Sequence, residues 1–188
     1  MEYSTLDKLG VRVSRLGFGC MRFPLTAEGK IDEPRAAAML DTAYKAGVTY
    51  YDTAYFYHQH TGEAFLGRAM KRYSRDTFYL ATKMPMSIVE SLDHAKEIFE
   101  GQLAALQTDY VDFYLLHAVN GERWKQAQEM GIVDFLLEMQ KAGRIRHFGF
   151  SFHGSYEEFE TILTARDWDF CQIQFNYMDQ EDRKSTRL

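Results

Sequence analysis

The sequence is poor in cysteine, proline and long apolar runs, and it has no surplus of positive charge. Cys20 and Cys171 are far apart and form no C-x-x-C pair, which argues against a disulfide scaffold or a cysteine metal cluster within this chain. A reducing, cytoplasmic setting fits that usage. No stretch approaches the roughly 18 consecutive apolar residues of a bilayer span. The opening MEYSTLDKLG has neither the basic nor the apolar region of a secretory signal. The net charge of -5 gives no electrostatic case for nucleic acid or an anionic membrane as partner. A G-x-G-x-x-G fingerprint is missing too; LGFGC has two glycines but not the third. With no Pro/Gly/Ser linker and no low-complexity run, the 188 residues read as one domain.

What is present is alternation. Short β-rich runs stand at 15–21, 48–54, 77–83, 110–117, 145–152 and 169–176. Several are apolar at nearly every position, as expected of parallel strands covered on both faces. Helical patterns lie between them at 33–47, 61–73, 91–107, 122–143 and 155–167. Pro34 and Gly47 bracket the first helix in the usual asymmetry. Thr61 and Ser155 stand as N-caps, and the 122–143 stretch ends on Lys-Ala-Gly. A small hairpin is expected before the first strand, turning near Lys8–Gly10. The alternation predicts an α/β fold with a parallel sheet.

Chemistry sits at the ends of the later strands: Asp52, Lys83, His117 and Ser151, with Gln172 inside the last run. The steps from Asp52 to Ser151 are 31, 34 and 34 residues, about one βα unit each. In a closed parallel barrel the C-terminal strand ends converge on one face, so these residues would share a pocket. An open doubly wound sheet would spread them along an edge. A barrel is therefore favoured. A buried lysine beside an acid can hold its charge, and a tyrosine near that ammonium is expected to have a lowered pKa. With a histidine to orient an oxygen, such a set suits proton donation to a carbonyl while a nicotinamide cofactor supplies hydride.

The stretches LGFGCMRFP, YYDTAYFYH, TGEAFLGRAMK, FYLATKMP, YVDFYLLHAVN, GRIRHFGFSFHG and CQIQFNYMD, in this order, resemble the aldo-keto reductases. The resemblance runs from residue 16 to about 179. It implies a (β/α)8 TIM barrel that uses NADP or NAD without a Rossmann motif. It implies a catalytic tetrad of Asp52, Tyr57, Lys83 and His117. Tyr57 would be the general acid, Lys83 would lower its pKa, Asp52 would pair with Lys83, and His117 would orient the carbonyl. Ser151 and Gln172 would hold the nicotinamide carboxamide, with Gly19, Cys20, Met21 and Asp52 bordering the cofactor. The implied activity is reduction of an aldehyde or ketone, a small-molecule substrate, to an alcohol.

The sequence departs from the family at Phe152 and His153, where an asparagine usually follows the serine. SFHG, LLHAVN and QFNYMD look most like the subgroup with a C-terminal iron–sulfur ferredoxin-like extension; a cluster is implied only for such an extension, which this sequence lacks. Six βα units are visible against the family's eight. Residues 1–180 therefore read as an incomplete barrel domain with two unpaired sheet edges and part of its core uncovered. Residues 181–188, EDRKSTRL, read as a non-native-looking tail. The expectation for the isolated chain is poor solubility or inactivity.

Simpler readings compete. Tyr50, Tyr51 and Tyr55 are expected to pack, and His94 and His147 to be structural or at the surface. Met84 and Met86 are expected in a core or pocket wall. His58 and His60 form an H-x-H that would suggest a metal-dependent hydrolase, but no further ligand histidine follows at matching spacing, so no metal site is expected. A non-catalytic nucleotide-binding or regulatory module of the same fold is the alternative function. Retention of Asp52, Tyr57, Lys83 and His117 together argues against it.

Overall fold

The computed structural model describes residues 1–174. The last strand expected from sequence, 169–176, and the 181–188 tail thus lie partly or wholly outside the described residues. An N-terminal hairpin, β1 (Tyr3–Leu6) and β2 (Val11–Ser14), turns through a short 3₁₀ segment at Asp7–Leu9. Then come β3 (Phe18–Gly19), α1 (Glu33–Lys45), β4 (Tyr50–Asp52), α2 (Gly62–Met70), β5 (Tyr79–Met84), α3 (Leu92–Leu106) and β6 (Val111–Val119). They are followed by α4 (Gly121–Glu129), α5 (Ile132–Lys141), β7 (Ile145–Phe152), α6 (Tyr156–Thr164) and β8 (Phe170–Gln172). No helix is long and apolar enough to cross a membrane among the described residues.

Local chemistry explains most boundaries. The Asp32 carboxylate accepts the Arg35 amide at 3.2 Å and Pro34 sits in the first turn of α1. Ser91 caps α3, and Ser155 forms a full capping box with Glu158 at α6. Two expectations are corrected. The single helix over 122–143 is two helices, because Gly131 adopts φ 70° and breaks the ladder between them. Thr61 does not cap α2 with its side chain; its hydroxyl donates instead to the His58 carbonyl at 2.6 Å.

The six strands β3 to β8 pair in chain order, all parallel. The sheet curls. β4 and β8 are four strand spacings apart, roughly 19 Å if the sheet were flat. Yet the Gln172 side chain of β8 reaches the Asp52 carboxylate of β4 at 3.4 Å. The α/β barrel expected from sequence is therefore present as a six-stranded partial barrel. The concave face buries Ala81, Phe113 and Leu115 with Tyr50, Tyr79 and Phe170, and the hairpin's Leu9 and Val11 pack onto this cluster. The convex face carries the larger core beneath the helices, which includes Tyr51, Met84, Met86 and Phe152. The hairpin is tied down by Lys8, which pairs with Asp167 and donates to the Trp168 carbonyl at 2.8 Å. Along the outer strand β3, Leu16, Phe18 and Met39 line an apolar groove, and Leu16 and Met39 are exposed.

Candidate active site

Parallel pairing sets the depth of each side chain. Gly19 is in register with Asp52, Asp52 with Ala81, and Lys83 with Leu115. Ser151 is in register with Gln172. Gly19, Asp52, Lys83, Ser151 and Gln172 lie at or one residue before the C-terminal ends of their strands, and His117 two residues before the end of β6, so Asp52, Lys83, His117, Ser151 and Gln172 share one end of the curled sheet. Tyr57 arrives from the loop after β4.

Lys83 is at the centre. Its side chain is 3% exposed, and its ammonium donates to Asp52 Oδ1 at 2.6 Å and to the Thr53 carbonyl at 2.8 Å. These two oxygen partners offset part of the hydration lost by the buried ammonium, which has three N–H donors. Asp52 also accepts from Gln172 Nε2 at 3.4 Å, which links the second strand of the sheet to its last. The Tyr57 ring centroid is 5.4 Å from Lys83 Nζ, and the ring meets His117 edge-on at 6.4 Å. The four residues of the expected tetrad are thus together, from β4, its following loop, β5 and β6.

The proton affinities differ from one expectation. Burial, then the Asp52 charge, then Cys20 push the Tyr57 hydroxyl up to about 12 rather than down. The physical reason is first the burial of the hydroxyl, to which the Asp52 carboxylate adds, while Lys83 directs hydrogen bonds to Asp52 and Thr53. His117 moves the other way: burial, followed by Lys83, His153 and Arg123, holds it down to about 4, so its imidazole is neutral.

A bulge presents His117. The β6–β7 register shifts between Leu116 and Val119, and Ala118 takes φ 50°, rare for a residue with a Cβ. Two side chains hold this strained residue. The Ala118 amide donates to Ser151 Oγ at 2.8 Å, and Arg123 Nη1 donates to the Ala118 carbonyl at 2.7 Å. Because Ser151 Oγ accepts there, its own O–H hydrogen is left to donate. Gln172 uses its Nε2 on Asp52, which leaves the amide oxygen as an acceptor. Phe152, where the family has asparagine, turns to the convex face and packs on Phe159 at 5.3 Å.

Gly19, Cys20 and Met21 form the neighbouring wall. Cys20 is fully buried, its thiol pushed up first by burial, while Met21 is exposed. Tyr51 is buried with its hydroxyl on the Val48 carbonyl at 3.2 Å, and Tyr50 packs on Phe113 on the concave face. Tyr55 packs against Phe56 and His60. His147 stacks near Phe113. The H-x-H pair diverges: His58 binds backbone at Cys20, while His60 lies against Tyr55 and Phe56.

Sequence reading missed the layer behind Lys83. There Glu63 of α2 accepts from Thr82 and, at 2.8 Å, from Gln102 of α3. Gln102 also donates to the Lys83 carbonyl at 3.0 Å and accepts from the Tyr114 hydroxyl at 2.6 Å. Glu63 and Gln102 are almost fully buried, and burial raises the Glu63 pKa. The available signal was Gln102 itself, a polar residue four positions after Ile98 on an apolar helix stripe.

Comparison with known proteins agrees on family and fold. The sequence profile described as "Aldo/keto reductase family" matches residues 15–188. Aldo-keto reductase YhdN of Bacillus subtilis is 29% identical over 195 residues, covering 98% of this chain and 57% of its own length. The solved holo form of aldo-keto reductase AKR11C1 from Bacillus halodurans superposes with a TM-score of 0.75 at 29% identity, covering 93% of this chain and 58% of that one. An aldo-keto reductase from Klebsiella pneumoniae, solved in complex with NADPH, gives a TM-score of 0.70 at 24% identity, covering 94% and 59%. The chain therefore spans a little over half the length of these relatives.

Proposed function

This chain belongs to the aldo/keto reductase family, and we propose that the site on its curled sheet reduces an aldehyde or ketone to an alcohol in the whole protein. The carrying observation is Lys83: a buried ammonium, paired with Asp52 and set beneath Tyr57, with neutral His117 at the ring edge.

The cofactor we infer is a nicotinamide dinucleotide, NADPH or NADH. The chemistry of the donor set fits it. A primary carboxamide needs one donor for its oxygen and one acceptor for its NH2; the Ser151 O–H and the Gln172 amide oxygen offer these two. Gly19, Cys20 and Met21 are proposed as the wall beside the ring. When bound, the reduced nicotinamide supplies a hydride.

The chain's own residues do the rest. His117 is neutral, so its N–H donates a hydrogen bond to the carbonyl oxygen without protonating it. Tyr57 is fully protonated at neutral pH, which suits a proton donor. As negative charge develops on the carbonyl oxygen, the Tyr57 hydroxyl would give it a proton. The resulting tyrosinate then lies beside the Lys83 ammonium, which stabilises it. Asp52 keeps Lys83 in place.

The test is nicotinamide oxidation with a broad aldehyde and ketone panel. Tyr57→Phe keeps the ring and removes the proton, so turnover is expected to fall about 10²–10⁴-fold. Full turnover in that variant would show that Tyr57 is not the donor.

A further inference from the structure

His58 is absorbed neither by the tetrad nor by a metal. It begins a run of left-handed residues, His58, Gln59 and His60, with φ of 52°, 54° and 67°. None is glycine, and such a run persists only where its surroundings over-determine it. Here they do. The His58 carbonyl accepts from the Thr61 amide at 3.1 Å and from the Thr61 hydroxyl at 2.6 Å. The Tyr57 carbonyl accepts from the Gly62 amide at 3.1 Å, and a Cβ at Gly62 would stand 3.0 Å from that oxygen. The turn that carries Tyr57 is therefore tightly wound.

The His58 ring lies between this turn, where a Cβ on Gly62 would stand 3.5 Å from its Cδ2, and another. Nε2 is 3.0 Å from the Cys20 carbonyl and 3.3 Å from the Phe23 amide. The ring stacks on Phe23 at 5.4 Å, and Phe23 meets Phe65 of α2 edge-on at 5.0 Å. One nitrogen serves one of the two backbone groups at a time: with a proton it donates to Cys20, without one it accepts from Phe23. Either way it joins the Tyr57 turn to the Cys20–Phe23 turn.

We propose that His58 is a positioning residue, a strut that sets the distance between the Tyr57 hydroxyl and the wall at Gly19–Met21. The proposal rests on the reading of Tyr57 as proton donor and of that wall as the nicotinamide's neighbour. A strut of this kind affects the transition state, in which hydride and proton must reach one carbonyl together, more than it affects substrate binding.

The experiment compares wild type, His58→Phe and His58→Gln in the whole protein. Phenylalanine keeps the stack and loses the hydrogen bond; glutamine can restore it. His58→Phe should lose about 30- to 100-fold in kcat, with carbonyl KM changed less than about threefold. The isotope effect from deuterated nicotinamide should rise, and His58→Gln should recover most of the loss. Amide exchange at Phe23 should speed up in His58→Phe and slow again in His58→Gln. Unchanged kcat in His58→Phe, or a loss that glutamine does not rescue and that tracks melting temperature, overturns the strut. If His58→Phe does not fold, His58→Ala replaces it, and a wild-type Phe23 exchange rate together with an unchanged Cys20 carbonyl ¹³C shift in that variant likewise overturns the strut. A wild type that reduces no carbonyl overturns the oxidoreductase reading instead, and the Phe23 exchange rate and Cys20 carbonyl shift together still decide the strut.

Discussion

At the N-terminal end of the sheet, Asp112 of β6 is completely buried between Arg75 at 2.6 Å and Arg146 at 2.9 Å, and it accepts the Leu80 amide at 2.9 Å. Both arginines also lie over the Tyr110 ring. At the C-terminal end, a few residues along the same strand, His117 hangs on a bulge beside a lysine–aspartate pair. There Thr53 Oγ1 is buried without a partner among the described residues. Around Asp112 one end uses its charges to satisfy each other, although Arg166 Nη1, just before β8, is also buried without a partner among the described residues. The other keeps hydrogen-bonding capacity in reserve and holds backbone strain at Ala118 and at residues 58–60. Reserve and strain are what a site needs if a ligand is to complete it. Burial of charge alone therefore does not mark a site; what sets this end apart is a buried ion pair together with Tyr57, neutral His117 and strained backbone at Ala118 and 58–60.

Removing Lys83 puts this contrast under the greatest load. Lys83→Met should abolish turnover, by at least about 10³-fold, because the tyrosinate loses its neighbour charge. It should also leave Asp52 unpaired and cost about 3 kcal/mol in urea unfolding. Retained turnover would dissolve the distinction between the two ends. Asp112→Ala is the counterpart. It strands the Leu80 amide and two arginines, which are partly exposed and can rehydrate, so a loss of about 2–4 kcal/mol is expected. Its kcat should stay near that of the parent in a steady-state assay.

A third test uses pH. His117 is neutral in the fold with its pKa held down to about 4, while the unfolded chain takes up that proton near 6.5. The unfolded state therefore binds more protons between these values. Stability should be fully present above about 6.5 and fall as pH drops toward about 4, by about 2–3 kcal/mol from this group. Urea midpoints for wild type and His117→Asn across that range would measure it; equal slopes would overturn the assignment. The smallest effect is expected at Glu63. Its pKa is raised, so the fold favours its protonated form, and its contribution weakens as pH rises above the usual carboxylate range. Glu63→Gln keeps an acceptor for Thr82 and Gln102 and should change stability at neutral pH by less than about 1 kcal/mol. Glu63→Ala, which orphans both, should cost more.

Much of this molecule was legible in its sequence, but unevenly. The strands were readable because doubly covered parallel strands are apolar throughout, as in β6 and β7. The Ser155 cap was readable because a capping box is local. The helix at 122–143 misled because Gly131 can sit inside a helix or break one, and only its φ of 70° decides. Thr61 misled because a nearer acceptor, the His58 carbonyl, took its hydroxyl.

The spacing of Asp52, Lys83, His117 and Ser151, one βα unit apart, was enough to put them at one end of a parallel sheet. Strand period fixes which face a residue occupies, and position along strands that all run parallel fixes which end. The sign of the Tyr57 shift was beyond the reach of sequence. It depends first on the burial of the hydroxyl and then on the Asp52 carboxylate beside it. Nor could sequence show that His58 turns inward to the Cys20–Phe23 backbone, or that Glu63 and Gln102 meet behind Lys83. Those contacts join residues up to 39 positions apart, and only the curl of the sheet and the packing of helices on it bring them within hydrogen-bonding distance.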